Sequence, residues 1–432
     1  MKLNWIERKE ITVIDDIMGS GKTTWAIQMI NQSSKEQRFI FISPYLTEVE
    51  RVKNACKHTR TFHEPSNNNK DGRKLSSLKL LLDKGENIAT THALFKDFDD
   101  EVLTLLKMHH YTLVLDEVTE VVQKLEISLA DIKLLQQSKL IEVDNESKVT
   151  WVNAEYTGKF DQLKRVIQTD KVFLHNETAF IWAFPIEIFQ MFRRVFILTY
   201  LFEGQVQRYY FDLYKISYTM KSIGIKDNNG HLSMLIKNGE LSHRIIPHYE
   251  LIDYRKPNVS HLKELIHIVE DEKLNAIGEP VNTVGHDALT FSKMEKLTKS
   301  SPMTKRIQNN MINFFRYKCN ATVHDAMWTC PKKVHEKRLI GQRFTGGFVS
   351  SNARATNEFR HKTACAYMLN KFMNPSIVGF FESQGIEVDQ ETYALSELVQ
   401  WLFRSSIRDN KEIQLYLPSK RMRTLLIDWL NN

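Results

Sequence analysis

The sequence predicts an α/β protein built on parallel sheets, and three observations carry that prediction. The first is "ITVID" (11–15), a short β-branched run, followed by the Gly-rich turn "GSG" and by "KTTWAIQMI" (22–30), whose apolar residues recur at helical spacing. The second is "YTLVLDEVTEVV" (111–122), where a short apolar run ends in a pair of carboxylates. The third is the return of the same strand-then-polar unit at "RFIFISPYLTEVERV" (38–52), "NIATTHALF" (87–95) and "RVFILTYLFEG" (194–204). Strands that alternate with helices across residues 10 to 210 are joined by crossovers, which makes their sheet parallel.

The first of these units has the form of a phosphate-binding loop. Its glycines let successive backbone N–H groups curl around phosphate oxygens, and the helix N-terminus adds positive potential. This assigns Met18, Gly19, Ser20, Gly21, Lys22, Thr23 and Thr24 to nucleotide binding. Lys22 would reach the β- and γ-phosphates, and the Thr23 hydroxyl would hold Mg²⁺. The expected cofactors are therefore ATP and Mg²⁺. The usual spacing, GxxxxGK[ST], puts Asp16 where the first glycine stands; since Gly19 and Gly21 make the turn, that departure is expected to matter little. The carboxyl ends of parallel strands face the ligand crevice, so Asp116 is expected beside the metal and Glu117 beside the attacking water, orienting or deprotonating it. An ordinary strand-end carboxylate pair is the competing reading, and the loop upstream weighs against it. Ser43 and Pro44, and Thr91 and His92, lie at two further strand ends. There they either meet a phosphodiester backbone or cap helices.

Taken in order, these segments resemble the motifs of superfamily 2 helicases. GSGKT (19–23) resembles motif I, ISPYLTEVERV motif Ia, ATTHALF the TxH-type segment that follows, VLDEV the DExx box, and ILTYLF motif III with Thr199 in place. In the C-terminal half, GFVSSNARATNEFRHK (347–362) resembles motif V, with Arg354, Thr356 and Asn357 at its centre. LSELVQWLFRSSIRDNKEIQLYLPSKRMRTLL (395–426) resembles motif VI: Gln400 and Arg404 fit, Phe403 replaces a glycine, and Arg408 follows Arg404 by four residues instead of three. The resemblance implies two tandem RecA-like P-loop domains, 1–212 and 283–432, and the turn signals in 213–282 read as a β-rich insertion near the start of the second domain.

It also implies roles. Gln400, Arg404 and Arg408 join the catalytic set from the facing domain, and Thr199 couples hydrolysis to movement. Nucleic acid, DNA in preference to RNA, is the implied partner, touched by Ser43, Pro44, Thr91, His92, Arg354, Thr356 and Asn357. Thr356 and Asn357 are equally suited to the interdomain nucleotide. The implied function is an ATP-dependent helicase or translocase in phage DNA replication or recombination, with other replication proteins as possible partners. Two alternatives stand beside it. A phage packaging ATPase would need a nuclease-like acidic cluster in the C-terminal half, where only dispersed residues such as Asp325 and Asp389 are found. A nucleotide-gated binding switch would have no need of Glu117.

Several further expectations follow from the residues themselves. Arg404 and Arg408 read as one face of a helix at i,i+4, followed by the strand "EIQLYLP" (412–418). The turn signals Asp-Asn-Asn-Gly and Lys-Asn-Gly after residue 215 read as hairpins. The most apolar segment, "AFIWAFPIEIFQMFRRVFILTYLF", reads as a buried helix and then a buried strand; Pro185, Glu187, Arg193 and Arg194 interrupt it too often for a membrane span. Trp328 and Trp401 are expected in the core. Lys332, Lys333, Lys337, Arg338 and Arg343, and Lys420, Arg421 and Arg423, form two basic groups, either solvated or phosphate-facing. The net charge of +7 is compatible with a polyanionic partner. Four scattered cysteines and an N-terminus without an apolar run read as a cytoplasmic protein with reduced thiols.

Overall fold

The structure is a computed structural model that describes residues 10–168, 171–237, 240–280, 288–351 and 357–432, and for 227–245 and 357 the backbone alone. The chain divides into two compact units. The first comprises the described residues up to Asp16, Gly21–Arg255 and Asn374–Val388; the second comprises Ile17–Ser20, Lys256–Met373 and Asp389–Asn432.

In chain order the first unit holds β1 (Glu10–Asp15), the helix α1 (Lys22–Gln32), β2 (Phe39–Ser43), β3 (Phe62–His63), β4 (Asn87–Thr91) and β5 (Thr112–Asp116). Then come β6 (Val122–Lys124), β7 (Ile141–Val143), β8 (Val149–Trp151), β9 (Val172–His175) and β10 (Ala179–Ala183), followed by β11 (Arg194–Thr199), β12 (Thr219–Lys237) and β13 (Glu240–Asp253). Eight of these form one sheet in the order β13-β12-β1-β11-β5-β2-β4-β3. Every neighbouring pair is parallel except β12 with β13. All of β2, and β11 from Val195 onward, is buried. Strands covered on both faces read as continuous apolar runs, which is why these were legible.

Register aligns the carboxyl ends of the strands. Asp15 lies opposite Thr199, Leu198 opposite Asp116, Ile42 opposite Leu115 and Ser43 opposite Thr91. Asp15, Thr199, Asp116, Ser43 and Thr91 thus form a row along one edge, the edge at which parallel α/β sheets bind ligands.

Between β5 and β11 the chain leaves this sheet. Residues 122–182 build a separate body, with β6-β10-β9 as one sheet and β7-β8 as another, around Ile132, Leu135, Trp151, Ile167, Val172 and Phe180. The stretch 179–202, expected to open as a helix, opens as β10, antiparallel to β9. Asn176 and Glu177 both take left-handed φ, 46° and 55°, within the three-residue connection between the paired residues His175 and Ala179, and the aromatic and β-branched residues after it pair as a strand. The helix Pro375–Ser383 also belongs to this unit. Phe380 meets Phe173 and His175 at ring distances of 6.0 and 6.3 Å, and Phe381 meets Tyr209 at 5.8 Å.

The segment 213–282 was expected to open a second domain, yet its two long strands extend the first sheet. β12 runs parallel to β1 from Thr12–Thr219 to Ile14–Lys221. The Asp-Asn-Asn-Gly signal does not turn the chain; it makes a bulge between the pairs Asp227–His248 and His231–Ile246. Pro247 stands opposite that bulge and, lacking an N–H, cannot complete the ladder there.

Among the described residues the second unit has four parallel strands, β14 (Ile266–Ile268), β15 (Ala326–Thr329), β16 (Ala364–Tyr367) and β17 (Ile413–Tyr416), in the order β14-β17-β16-β15. Trp328 and Trp401 are in its core, each donating its indole N–H to a backbone carbonyl, of Phe344 at 2.6 Å and Val349 at 3.1 Å. "GFVSS" supplies one bridge, Phe348 to Trp328, instead of a strand. No described helix is long and apolar enough to cross a membrane.

Candidate nucleotide site

β1 delivers the chain to Asp15 and Asp16, and α1 begins at Lys22. Between them Gly19 and Gly21 take φ of 88° and 101°, a region that residues with a Cβ rarely enter. Gly21 is the N-cap of α1; no side chain caps the helix, and its first turn holds no acidic residue. The positive end of the helix is left to an anion. The Lys22 ammonium donates to the carbonyl oxygen of Asp16. Burial draws its pKa down, while the carboxylates of Glu117, Asp16, Asp15 and Asp116 oppose that shift. A half-buried cation beside an uncapped helix N-terminus is suited to a polyphosphate.

Asp116 closes the site from the end of β5. Thr23 Oγ1 donates to its Oδ1 at 3.1 Å, and Ser43 Oγ donates to its Oδ2 at 3.1 Å. A hydroxyl and a carboxylate oxygen in contact suit a hard divalent cation, so Thr23 and Asp116 are the residues that would hold Mg²⁺. The ion would supply charge neutralisation for the phosphates. Glu117 follows at φ 71°, and its N–H donates to the carbonyl of Leu198 at 2.9 Å. A non-glycine residue in this region costs about 1–2 kcal/mol; the bond to β11 holds it there.

Burial, with the nearby carboxylates of Glu117 and Glu48, pushes the pKa of Asp116 up to about 7 from 3.8. The nucleotide-free folded protein therefore holds a proton that the unfolded chain has released. The associated stability is full below 3.8 and lost as the pH rises through about 7. Asp116→Asn is expected to flatten this dependence and to melt about 3 °C above the unmodified protein at pH 8, as read by thermal denaturation without metal across pH 4.5–8. Equal slopes for the two proteins would show that Asp116 does not carry the effect.

Two of the residues expected to meet nucleic acid, Ser43 and His92, are buried. Ser43 is fully buried on Asp116, and His92, also buried, has Nε2 3.1 Å from the Asp116 carbonyl oxygen. Both contact the acidic strand end. Pro44 and Thr91 stay half-buried on the same edge. Thr24 Oγ1 accepts from Arg51 Nη2 at 3.3 Å. Thr199 is fully buried, and its carbonyl accepts the Asp16 N–H at 3.1 Å, which joins motif III directly to the loop.

Asp16 is more than a replacement for glycine. Its Oδ2 accepts the Ile223 N–H of β12 at 2.9 Å, a bond glycine cannot make. Asp15 accepts the N–H groups of Leu201 and Phe202 at 2.8 and 3.0 Å and so holds the turn after β11. Both ties escaped the sequence reading because their partners lie 207 and 186 positions along the chain.

In the second unit the helix Gln390–Leu402 carries Gln400 and stops before Arg404. Arg404 and Arg408 therefore do not share a helical face. Arg404 is 4% exposed and donates Nη1 to the Ser350 carbonyl at 3.0 Å; Arg408 is half-buried in the 3₁₀ turn Ser406–Asp409. Ser405 Oγ turns back onto the Leu402 carbonyl at 2.6 Å, and the Ser406 N–H is taken by Lys362 O at 2.9 Å, which ends the helix. Arg354 and Thr356 lie outside the described residues, as does the side chain of Asn357. Of the second basic group, Arg421 is engaged by Glu391 and Asn370, and Arg423 by the carbonyls of Leu417 and Pro418.

Comparison with known proteins gives three matching family models. That of the type III restriction enzyme res subunit covers residues 2–144, that of the YonV middle domain residues 122–182, and that of the YonV C-terminal Rossmann-like domain residues 260–430. The middle-domain match coincides with the separate body between β5 and β11. The chain is 38% identical over 434 residues to the SPbeta prophage-derived uncharacterized protein YonV of Bacillus subtilis (strain 168), covering 98% of this chain and 99% of that protein. Among solved structures, the DUF1998 helicase MrfA bound to DNA and AMPPNP is similar at a TM-score of 0.32 and 10% identity over 98% of this chain; the chain spans about half, 49%, of that one.

Proposed function

The chain belongs to the YonV family and carries a helicase-type nucleotide region, and from that premise we propose that it is an ATP-dependent nucleic-acid helicase or translocase that acts on DNA in phage replication or recombination. The observation that carries the reading is the meeting of Lys22, Thr23, Asp116 and Glu117 at the carboxyl edge of one parallel sheet. In this reading Lys22 and the α1 N-terminus take up charge on the β- and γ-phosphates. Glu117 accepts a proton from the attacking water. Gln400, Arg404 and Arg408 are assigned to the same catalytic set by their likeness to motif VI. A grip on the strand that differs between the ATP-bound and released states would then move it, since a grip equal in both shifts nothing. The prophage origin of the relative supports a phage role, and a net charge of +7 suits a polyanionic strand.

The test is ATP hydrolysis with and without single-stranded DNA or RNA, together with strand separation on forked duplexes of either overhang. DNA-stimulated hydrolysis with ATP-dependent unwinding or displacement of a bound block is the expected result. No hydrolysis with any nucleic acid removes the reading; stimulation by RNA alone removes its DNA half.

A further inference from the structure

Three ties join the β12–β13 hairpin to the phosphate loop, and none of them is part of the usual loop chemistry. At the start of the loop, Asp16 Oδ2 accepts the Ile223 N–H of β12 at 2.9 Å. Behind it, Gln28 on α1 brackets the backbone of β13. Its Nε2 donates to the Pro247 carbonyl at 2.9 Å, and its Oε1 accepts the Tyr249 N–H at 2.9 Å. At the end of the loop, the Tyr249 ring lies on Gly21. A Cβ on that glycine would stand 2.5 Å from Tyr249 Cζ and 2.6 Å from Cε1. Tyr249 and Leu251 also pack on the core cluster that contains Ile14, Trp25, Ile27 and Ile223.

We propose that Tyr249, held by Gln28, is a positioning residue of the nucleotide site, and that the β12–β13 hairpin thereby pre-organises the phosphate loop for ATP. The inference rests on the reading of that loop as an ATP site. Its physical basis is the cost of glycine. Gly19 and Gly21 give the loop the φ values it needs, and the same freedom lets an empty loop wander among other conformations. A rigid ring laid on Gly21, with a two-point amide clamp on the strand that carries it, removes much of that freedom before the ligand arrives. Pre-organisation of this kind appears as affinity, because the ordering cost is no longer met on binding. The hairpin therefore acts as a component of the nucleotide site, with Tyr249 at its contact point.

The test is the affinity of the full-length chain for a fluorescent ATP analogue with Mg²⁺, alongside the KM and kcat of ATP hydrolysis with single-stranded DNA. Tyr249→Ala is expected to weaken binding and raise KM about tenfold, a factor within the ordinary range of coupling between sites, with kcat changed less than twofold. Tyr249→Phe keeps the ring and restores the affinity. Gln28→Ala shifts affinity in the same direction, and the double variant adds less than the sum of the two, because both changes release one strand. A purely structural role would lower kcat through loss of folded protein and leave KM in place; that result overturns the proposal, as does unchanged affinity in Tyr249→Ala. If the unmodified chain binds the analogue while Tyr249→Ala matches it, this inference alone falls. If the unmodified chain binds no nucleotide, the ATP-site reading falls with it.

Discussion

Lys22→Ala is expected to lower ATP turnover by about 10²–10³-fold, the usual consequence of removing one pre-positioned donor from developing phosphoryl charge. The expectation follows from where Lys22 stands. It is bonded to the Asp16 carbonyl at the mouth of the loop, and Glu117, Asp16, Asp15 and Asp116 all act on it electrostatically. Without the ammonium, those acids would repel an incoming polyphosphate, so ATP affinity should fall together with turnover. Phosphate release and equilibrium binding of a fluorescent ATP analogue measure the two effects, with a thermal melt to show that the fold persists. Turnover within threefold of the unmodified protein would place the catalytic cation elsewhere.

Glu117→Gln should separate binding from hydrolysis. Glutamine preserves the shape and the backbone bond to Leu198 but cannot take a proton, so the chemical step should slow about 10²–10⁴-fold. Binding should hold or tighten, because Glu117 is one of the two carboxylates that push Asp116 toward protonation. Removing that repulsion favours the ionised Asp116 that a metal–nucleotide complex requires. Single-turnover hydrolysis read beside equilibrium binding decides the matter. Loss of binding and turnover in parallel would mean that Glu117 shapes the pocket and is not the base. Unchanged turnover would show that a different group handles the water.

The meeting of these strand ends was legible because parallel α/β geometry converts sequence order into spatial coincidence. Each strand is a buried apolar run, and the first polar residue after it must fall on the carboxyl edge. That rule finds Ser43, Asp116 and Thr199 from sequence, and register places them in one row with Asp15 and Thr91. The rule names position, and the role depends on what each side chain meets. Ser43 and His92 were candidates for nucleic acid, yet both turn inward onto Asp116. The 122–182 body escaped notice for another reason. Its strands are three to five residues long, too short for periodicity to distinguish from loop or helix.

The sequence by itself determined the chemistry of the loop: glycines at the two positions of positive φ, a lysine and threonine at the helix start, and a carboxylate pair at the end of a buried strand. These are local, because a handful of adjacent residues fixes where backbone N–H groups and short side chains point. Only the tertiary structure decided what holds the loop in shape. Asp16 meets Ile223, Gln28 meets Pro247 and Tyr249, and Tyr249 covers Gly21 across more than two hundred residues of chain. The tertiary structure also decided that Arg404 lies beyond the end of its helix, where the Ser350 carbonyl holds it. Such contacts depend on which strand pairs with which edge and on where a side chain can find a partner out of water. No local pattern records that choice, since it is made by the packing of segments that meet only when the chain is folded.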